Sequence, residues 1–263
     1  MEKNNKKLKI GAIVQVRTGS TRLPGKVMLN IEGKPMLWHV INRVKASKKL
    51  EDIILAIPDT KENDILEEFA KENGINFFRG SESDVLERYY EAAKKFNINL
   101  VVRITSDCPM IDPQIIDSVI QEHLTTGAEY SSNVNVNNSK RTFPRGLDVE
   151  VFNFEVLKKL CQTAKEGQDR EHVTLYIRQH PEFFHIANYE YEKDLSWMRW
   201  TVDTKEDLEF AREIYKNMYK KEKIFLMKEI LNFLEKNPGI LEINKDIEQK
   251  KHYDNFSKKS KTF

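Results

Sequence analysis

Only two cysteines, Cys108 and Cys161, occur in 263 residues. They lie far apart and form no metal-ligand spacing, which removes zinc-ribbon and finger architectures from consideration. Both read as reduced thiols rather than a disulfide. No apolar run approaches the ~20 residues needed to cross a bilayer, so a membrane-spanning role is excluded. The amino-terminal MEKNNKKLKI holds neither the apolar core nor the small-residue cleavage site of a secretory signal. A cytoplasmic protein with no membrane partner is therefore expected. Net charge is only +2, and nothing global argues for nucleic-acid binding. Internal repeats and long linkers are absent too, as are the GxxxxGK[ST] phosphate loop and the GxGxxG dinucleotide loop.

Hydrophobic residues at 40% and charged residues at 32% are enough for a soluble enzyme with a real core. KIGAIVQV is a short, nearly all-apolar run of the kind a strand buried on both faces shows. MLWHVINRVKAS places Met36, Leu37, Val40, Ile41 and Val44 at helical spacing. DIILAIP, INFFRG and LVVRITS read as further strands. Between them NDILEEFAKENG, with Gly74 as its stop signal, and DVLERYYEAAKKF read as helices. Strands alternating with helices predict an α/β fold with parallel pairing through right-handed crossovers. In such open sheets ligands bind beyond the carboxyl ends of the strands. The loops after KIGAIVQV, DIILAIP and LVVRITS are therefore expected to converge on one cleft.

From Tyr130 to Val151 the pattern becomes polar and extended, which predicts antiparallel strands and a long loop, a small β-rich insertion at about 130–151. FEVLKKLCQTAK and REHVTLYIRQH read as helices, the latter opened by Glu171 and His172. MRWTVDT reads as a strand ending at Asp203, KEDLEFAREIYKNM as a helix with acidic residues in its first turn. IFLMKEILNFLEKNPGI reads as a last helix stopping near Gly239. One domain over 1–243 with a basic, polar tail at 244–263 is the economical organisation.

The loop VRTGSTRLPGK packs Arg17, Arg22 and Lys26 with Gly19, Ser20 and Gly25 directly behind the first strand. Small residues let backbone N–H groups approach an anion, while the cations neutralise it. A triphosphate is the natural guest. SDCPMIDP follows the LVVRITS strand and sets Asp107 at its tip, with Asp112 before Pro113 as a helix cap. Asp203 supplies a second carboxylate from elsewhere in the chain. Two carboxylates meeting over a polyphosphate suit Mg²⁺, which takes few protein oxygens and completes its octahedron with phosphate and water. The set points to metal-assisted attack at phosphorus, driven by positioning and charge neutralisation.

VRTGSTRLPGKVMLNIEGKPMLWHVINR closely resembles the signature of the CMP-sugar synthetases for 3-deoxy-manno-octulosonate and sialic-type acids. RGSESDVLERYYEAA, RITSDCPMIDP, FPRGLDVEVF and REHVT resemble the branch of spore coat polysaccharide biosynthesis protein F. The similarity runs from about Lys9 to Tyr215. It implies a Rossmann-like, mostly parallel sheet of the glycosyltransferase-A-type nucleotidyltransferases, CTP as donor, pyrophosphate as product and Mg²⁺ as cofactor. By motif, Arg17, Lys26 and Asp107 would be catalytic, and Asp107 with Asp203 would hold the metal. Arg22, Gly19, Ser20, Arg79, Ser81 and Thr105 join Arg17 and Lys26 as nucleotide-binding candidates. Thr105 stands where those enzymes commonly carry a glutamine. FPRGLDVEVF and REHVT fall where the family builds its acceptor pocket, which nominates Arg145, Asp148, Glu150 and His172; Arg145 and Glu150 could alternatively pair across a hairpin. A homodimer is expected.

Three functions fit these residues. One is cytidylyl transfer to a sugar acid for surface polysaccharide. Another is transfer to a phosphorylated small molecule, giving a CDP-linked product. The third is a nucleotide-binding protein without catalysis, which would have no need of paired metal carboxylates.

Overall fold

The computed structural model describes residues 8–134, 136, 139–165 and 167–248. Most of the basic tail lies outside the described residues. Four strands lie parallel in the order β5 (Asn76–Gly80), β4 (Asp52–Pro58), β1 (Ile10–Gln15) and β6 (Leu100–Thr105). The sheet continues with β8 (Glu150–Asn153), antiparallel to β6, then β7 (Tyr130–Ser132), antiparallel to β8. It ends with β9 (Ile186–Asn188), which runs parallel to β7. The antiparallel segment expected over about 130–151 thus joins the main sheet. A two-stranded ribbon, β2 (Asn30–Ile31) with β3 (Lys34–Pro35), stands apart.

Helices cover both faces, as the all-apolar strands require. On one side α1 (Met36–Lys45), α2 (Asp64–Glu72), α4 (Pro113–Thr126), α8 (Lys205–Met218) and α9 (Met227–Lys236) pack over Ala12 and Val14 of β1. On the other, α3 (Val85–Lys95), α5 (Phe154–Thr163) and α7 (Leu175–Gln179) pack over Ile13. Period-two alternation along β1 therefore feeds two cores. A short α6 (Gly167–Glu171) precedes α7.

Local signals set the helix ends. Asp112 accepts the Gln114 amide and caps α4, as expected. Gly74, at φ +60°, follows the end of α2. The last helix is shorter than expected: α9 stops at Lys236, and Pro238 opens a 3₁₀ segment, Pro238–Ile243. Two further expectations are corrected. REHVTLYIRQH does not form one helix, because Glu171 ends α6 and Val173 sits at φ +51° before α7 begins. MRWTVDT is not a strand. Its backbone bonds go to loops instead: Trp200 donates to the Arg145 carbonyl at 2.7 Å and Val202 to the Asp107 carbonyl at 2.8 Å.

Candidate active site

Register alone makes the loops after β1 and β6 neighbours, since Gln15 pairs with Thr105. The β1 loop is then tied down at both ends. Gly25 donates to the Thr18 carbonyl, closing the loop, while Leu23 and Val27 are buried beneath it. Thr18 donates its amide to the Asn63 side chain at 2.9 Å, bringing in the segment after β4. Gly25 adopts φ +64°, a left-handed turn that launches the 3₁₀ turn Lys26–Met28. The loops after β1 and β6 line one cleft, as expected, whereas the segment after β4 braces the β1 loop through Asn63 without lining that cleft.

Lys26 is the hub. Its Nζ donates to Asp107 Oδ2 at 3.2 Å, Asp203 Oδ1 at 2.8 Å and the Val202 carbonyl at 2.8 Å. Burial pushes Lys26 down, but the two carboxylates outweigh it and hold its pKa above the ordinary value. Burial likewise opposes ionisation of Asp107; the Lys26 charge and hydrogen bonds from Thr105 and Lys26 prevail and keep Asp107 well below the usual carboxylate range. Arg22 reaches Asp203 Oδ2 at 2.8 Å. Cys108, beside Asp107, is pushed well up by burial and then by the Asp107 charge. It packs as a neutral thiol against Thr105 Oγ1 at 3.3 Å.

Asp203 owes its place to a second layer that sequence reading missed. Asp207 accepts the Asp203 amide at 2.9 Å and the Thr204 amide at 3.1 Å, and Thr204 caps α8 in a reciprocal capping box. Arg199 bridges Asp207 and Asp203, with 2.8 Å from Nε to Asp207 Oδ1 and 2.9 Å from Nη2 to Asp203 Oδ2. The signal was present as T-x-x-D before a helix. Gly146 permits the crossing that presses this loop onto β6. At φ +100°, a Cβ there would stand 2.5 Å from the Thr201 nitrogen.

The paired carboxylates fit a divalent cation. Oxygens from two segments remote in sequence already converge on one positive charge, the Lys26 ammonium. Among the described residues no group of three His, Cys, Asp or Glu gathers around a metal-sized point. The donor set is thus two carboxylates, which suits Mg²⁺ completed by phosphate oxygens and water and suits a zinc cage poorly.

A family model described as cytidylyltransferase matches residues 11–246, which takes in the β1 loop and both carboxylates. The chain belongs to the cytidylyltransferase family. That makes it a nucleotidyltransferase by descent. Spore coat polysaccharide biosynthesis protein SpsF of Bacillus subtilis is 34% identical over 233 residues, 86% of this chain and 94% of that one. The structure of a cytidylyltransferase from Leptospira borgpetersenii superposes with a TM-score of 0.84 at 36% identity, over 92% of this chain and 100% of that one. CMP:2-keto-3-deoxy-manno-octonic acid synthetase, solved with CTP, shares the fold: TM-score 0.61 at 21% identity, over 79% of this chain and 98% of that one.

Within this cytidylyltransferase fold, one cleft is lined by Arg17, Gly19, Ser20, Arg22, Lys26, Thr105, Asp107 and Asp203 together with His172. Other candidates lie elsewhere. Arg79 is engaged by Asp64 and Glu67 of α2 at 2.6 and 2.8 Å, and Ser81 accepts the Asp84 amide, so neither lines that cleft. Asp148 pairs with Arg141, close enough for its charge to bear on Cys108. Arg145 forms an isolated backbone β-bridge with Arg199, and its amide donates to the Met198 carbonyl at 3.0 Å. Glu150 is buried and bonds Arg103, its cross-strand neighbour on β6, with Arg178, the Tyr130 hydroxyl and Thr174 Oγ1. The alternation of strand β8 turns Glu150 inward, where it anchors the start of α7 just behind His172. Among the described residues, no helix is long and apolar enough to cross a membrane.

Proposed function

We propose that this protein transfers CMP from CTP to a sugar acid and releases pyrophosphate, in the cytoplasm, for surface polysaccharide synthesis. The observation that carries the reading is the convergence of Asp107 and Asp203 on a single cation inside a cleft walled by the Arg17–Lys26 loop. Asp107 and Asp203 would hold Mg²⁺, which when bound neutralises phosphate charge and polarises the α-phosphorus for attack. Arg17 can grip two triphosphate oxygens at once and fix the nucleotide for in-line displacement. Lys26, a compact point charge, suits the negative charge that builds on the departing pyrophosphate. His172, carried on the loop that Glu150 anchors, lines the same cleft, which supports a role for it at the acceptor. CTP and an acidic acceptor are further supported by the octonic acid synthetase solved with CTP. A polysaccharide role is supported by the spore coat relative.

Pyrophosphate release with Mg²⁺, each of the four NTPs and a panel of acceptors tests this. Release should require CTP together with a carboxylated sugar. Equal or faster release with ATP, GTP or UTP would remove the nucleotide assignment.

A further inference from the structure

Glu150 on β8 is the cross-strand partner of Arg103 on β6, and only 2% of it is exposed. Burial opposes its ionisation, but the charges of Arg103 and then Arg178 prevail and hold its carboxyl well below the usual carboxylate range. A carboxylate this deep is costly unless several donors meet it. Four do. The sheet supplies the Arg103 guanidinium and the Tyr130 hydroxyl. The start of α7 supplies the Thr174 hydroxyl, 2.8 Å from Oε1, and one turn later Arg178 Nη2, 2.9 Å from the same atom.

Thr174 is the unusual donor. A threonine at a helix N-cap ordinarily turns its hydroxyl onto the first amides of its own helix. Here the hydroxyl goes to Glu150 instead. Just before it, Val173 adopts φ +51°, a left-handed conformation that a β-branched side chain resists. Such a conformation persists only where the surroundings enforce it. The enforcement is visible on each side of Val173. Its side chain is wholly buried, in the apolar cluster that also holds Tyr130, Phe152 and Ile177. The Thr174 amide donates back to the His172 carbonyl, and the His172 amide donates to the Gln168 carbonyl at 2.9 Å. The residue whose place this turn sets is His172, which lines the cleft with Lys26 and Asp107.

We infer that Glu150 is a positioning residue: through the Thr174 hydroxyl it locks the turn at Val173 and so fixes His172 in the cleft for the acceptor. The inference rests on the nucleotidyl-transfer reading above. It gives Glu150 a part in acceptor affinity although Glu150 does not itself line the cleft. A carboxylate on an inner strand is held by the sheet, and a charged acceptor grips a hydroxyl more firmly than a neutral one. A second arm leaves the same carboxylate. Arg103 also donates to Gln15 Oε1 at 3.0 Å, and Gln15 lines the cleft too. One buried charge thus braces two residues of the cleft, each through a single intermediate, and Thr174 belongs to the His172 arm.

Three variants test it. Thr174→Val removes the hydroxyl and keeps the shape, Thr174→Ser restores the hydroxyl, and Glu150→Gln removes the charge. Each is followed by ¹H–¹³C NMR of the histidine imidazoles, with the His172 signal assigned from its loss in His172→Gln. Steady-state kinetics with CTP and a carboxylated sugar, and thermal melts, run alongside. Thr174→Val should displace or broaden the His172 signal. It should also raise the KM for the sugar about five- to tenfold, the scale of one hydrogen bond, and leave the KM for CTP unchanged. Thr174→Ser should bring both back, and Glu150→Gln should move both in the direction of Thr174→Val. Should either Glu150→Gln or Thr174→Val fail to fold, the other decides alone. An unmoved His172 signal in the folded variant would overturn the inference, and would mark the bond as structural if the melting temperature alone fell. So would KM values for sugar and CTP that rise together, or a displaced signal with the sugar KM unchanged. The two readings fail separately. Absence of pyrophosphate release from every NTP would remove the proposed function, and the His172 signal with its recovery in Thr174→Ser would still decide the positioning.

Discussion

Asp107 stays ionised in a buried setting because Lys26 and Thr105 stabilise its charge more than burial penalises it. Replacing it by Asn preserves shape and most hydrogen bonding and removes only the charge. Asp107→Asn should therefore lower turnover by several powers of ten, the loss of ~4 kcal/mol or more of transition-state stabilisation. Its melting temperature should move by only a few degrees; an active Asp107→Asn protein would take the carboxylate out of the mechanism. The loop cations should behave differently from one another. Arg17 is exposed, so Arg17→Ala should change stability by less than ~0.5 kcal/mol while raising the KM for CTP. From sequence alone the same mild stability effect would be expected at Lys26. The structure revises that, because removing Lys26 leaves two carboxylates facing each other. Lys26→Ala should lower kcat and also cost about 1–3 kcal/mol of stability. Steady-state kinetics with denaturant melts checks both variants, and wild-type kinetics from the pair would mean that the loop does not cradle phosphate.

Elements were legible where one physical signal sufficed. The all-apolar runs of β1, β4 and β6 announce strands covered on both faces, and the covering helices announce themselves by an apolar stripe. MRWTVDT misled because Trp200 and Val202 are both buried, which gives it the period-two pattern of a strand. Periodicity records burial, not where the hydrogen bonds go, and here they go to the Arg145 and Asp107 carbonyls. The structure nonetheless brings Asp107 and Asp203, both singled out from the sequence, together on Lys26. Glu150 was placed at the acceptor on motif position, but its partners Arg103 and Arg178 are set by sheet register and by α7, neither of which a single sequence displays. Gly146 carries a prediction at this scale. Its φ of +100° and the 2.5 Å approach of the Thr201 nitrogen leave no room for a methyl group. Gly146→Ala should destabilise the fold by more than about 1 kcal/mol and depress activity beyond that loss, because the displaced loop carries Asp203. Calorimetry and kinetics together check this; a Gly146→Ala protein with wild-type melting and turnover would show that the crossing does not set the site.

The whole molecule should respond to acid through a group remote from the cleft. His39, buried on α1, bonds the Ile31 carbonyl at 2.8 Å and packs against Trp38, Tyr215 and Tyr219. Burial lowers its pKa from 6.5 to about 4, with the charges of Arg43 and Lys34 adding to the effect against the Ile31 bond. Below pH 6.5 the unfolded chain takes up a proton that the folded chain refuses, so stability is full above that value and falls as pH drops toward 4. His39→Gln keeps a donor for Ile31 and removes the titration. Its urea midpoint should fall less steeply than that of the wild type between pH 6.5 and 4, and parallel curves would contradict the assignment.

For the reaction itself, ³¹P NMR of the wild-type protein with CTP, Mg²⁺ and a carboxylated sugar is the most direct measurement. The account predicts loss of the three CTP resonances, a single new phosphodiester signal from a CMP-linked sugar, and free pyrophosphate in equal amount. A diphosphate-linked product, or consumption of CTP without a new phosphodiester signal, would contradict it.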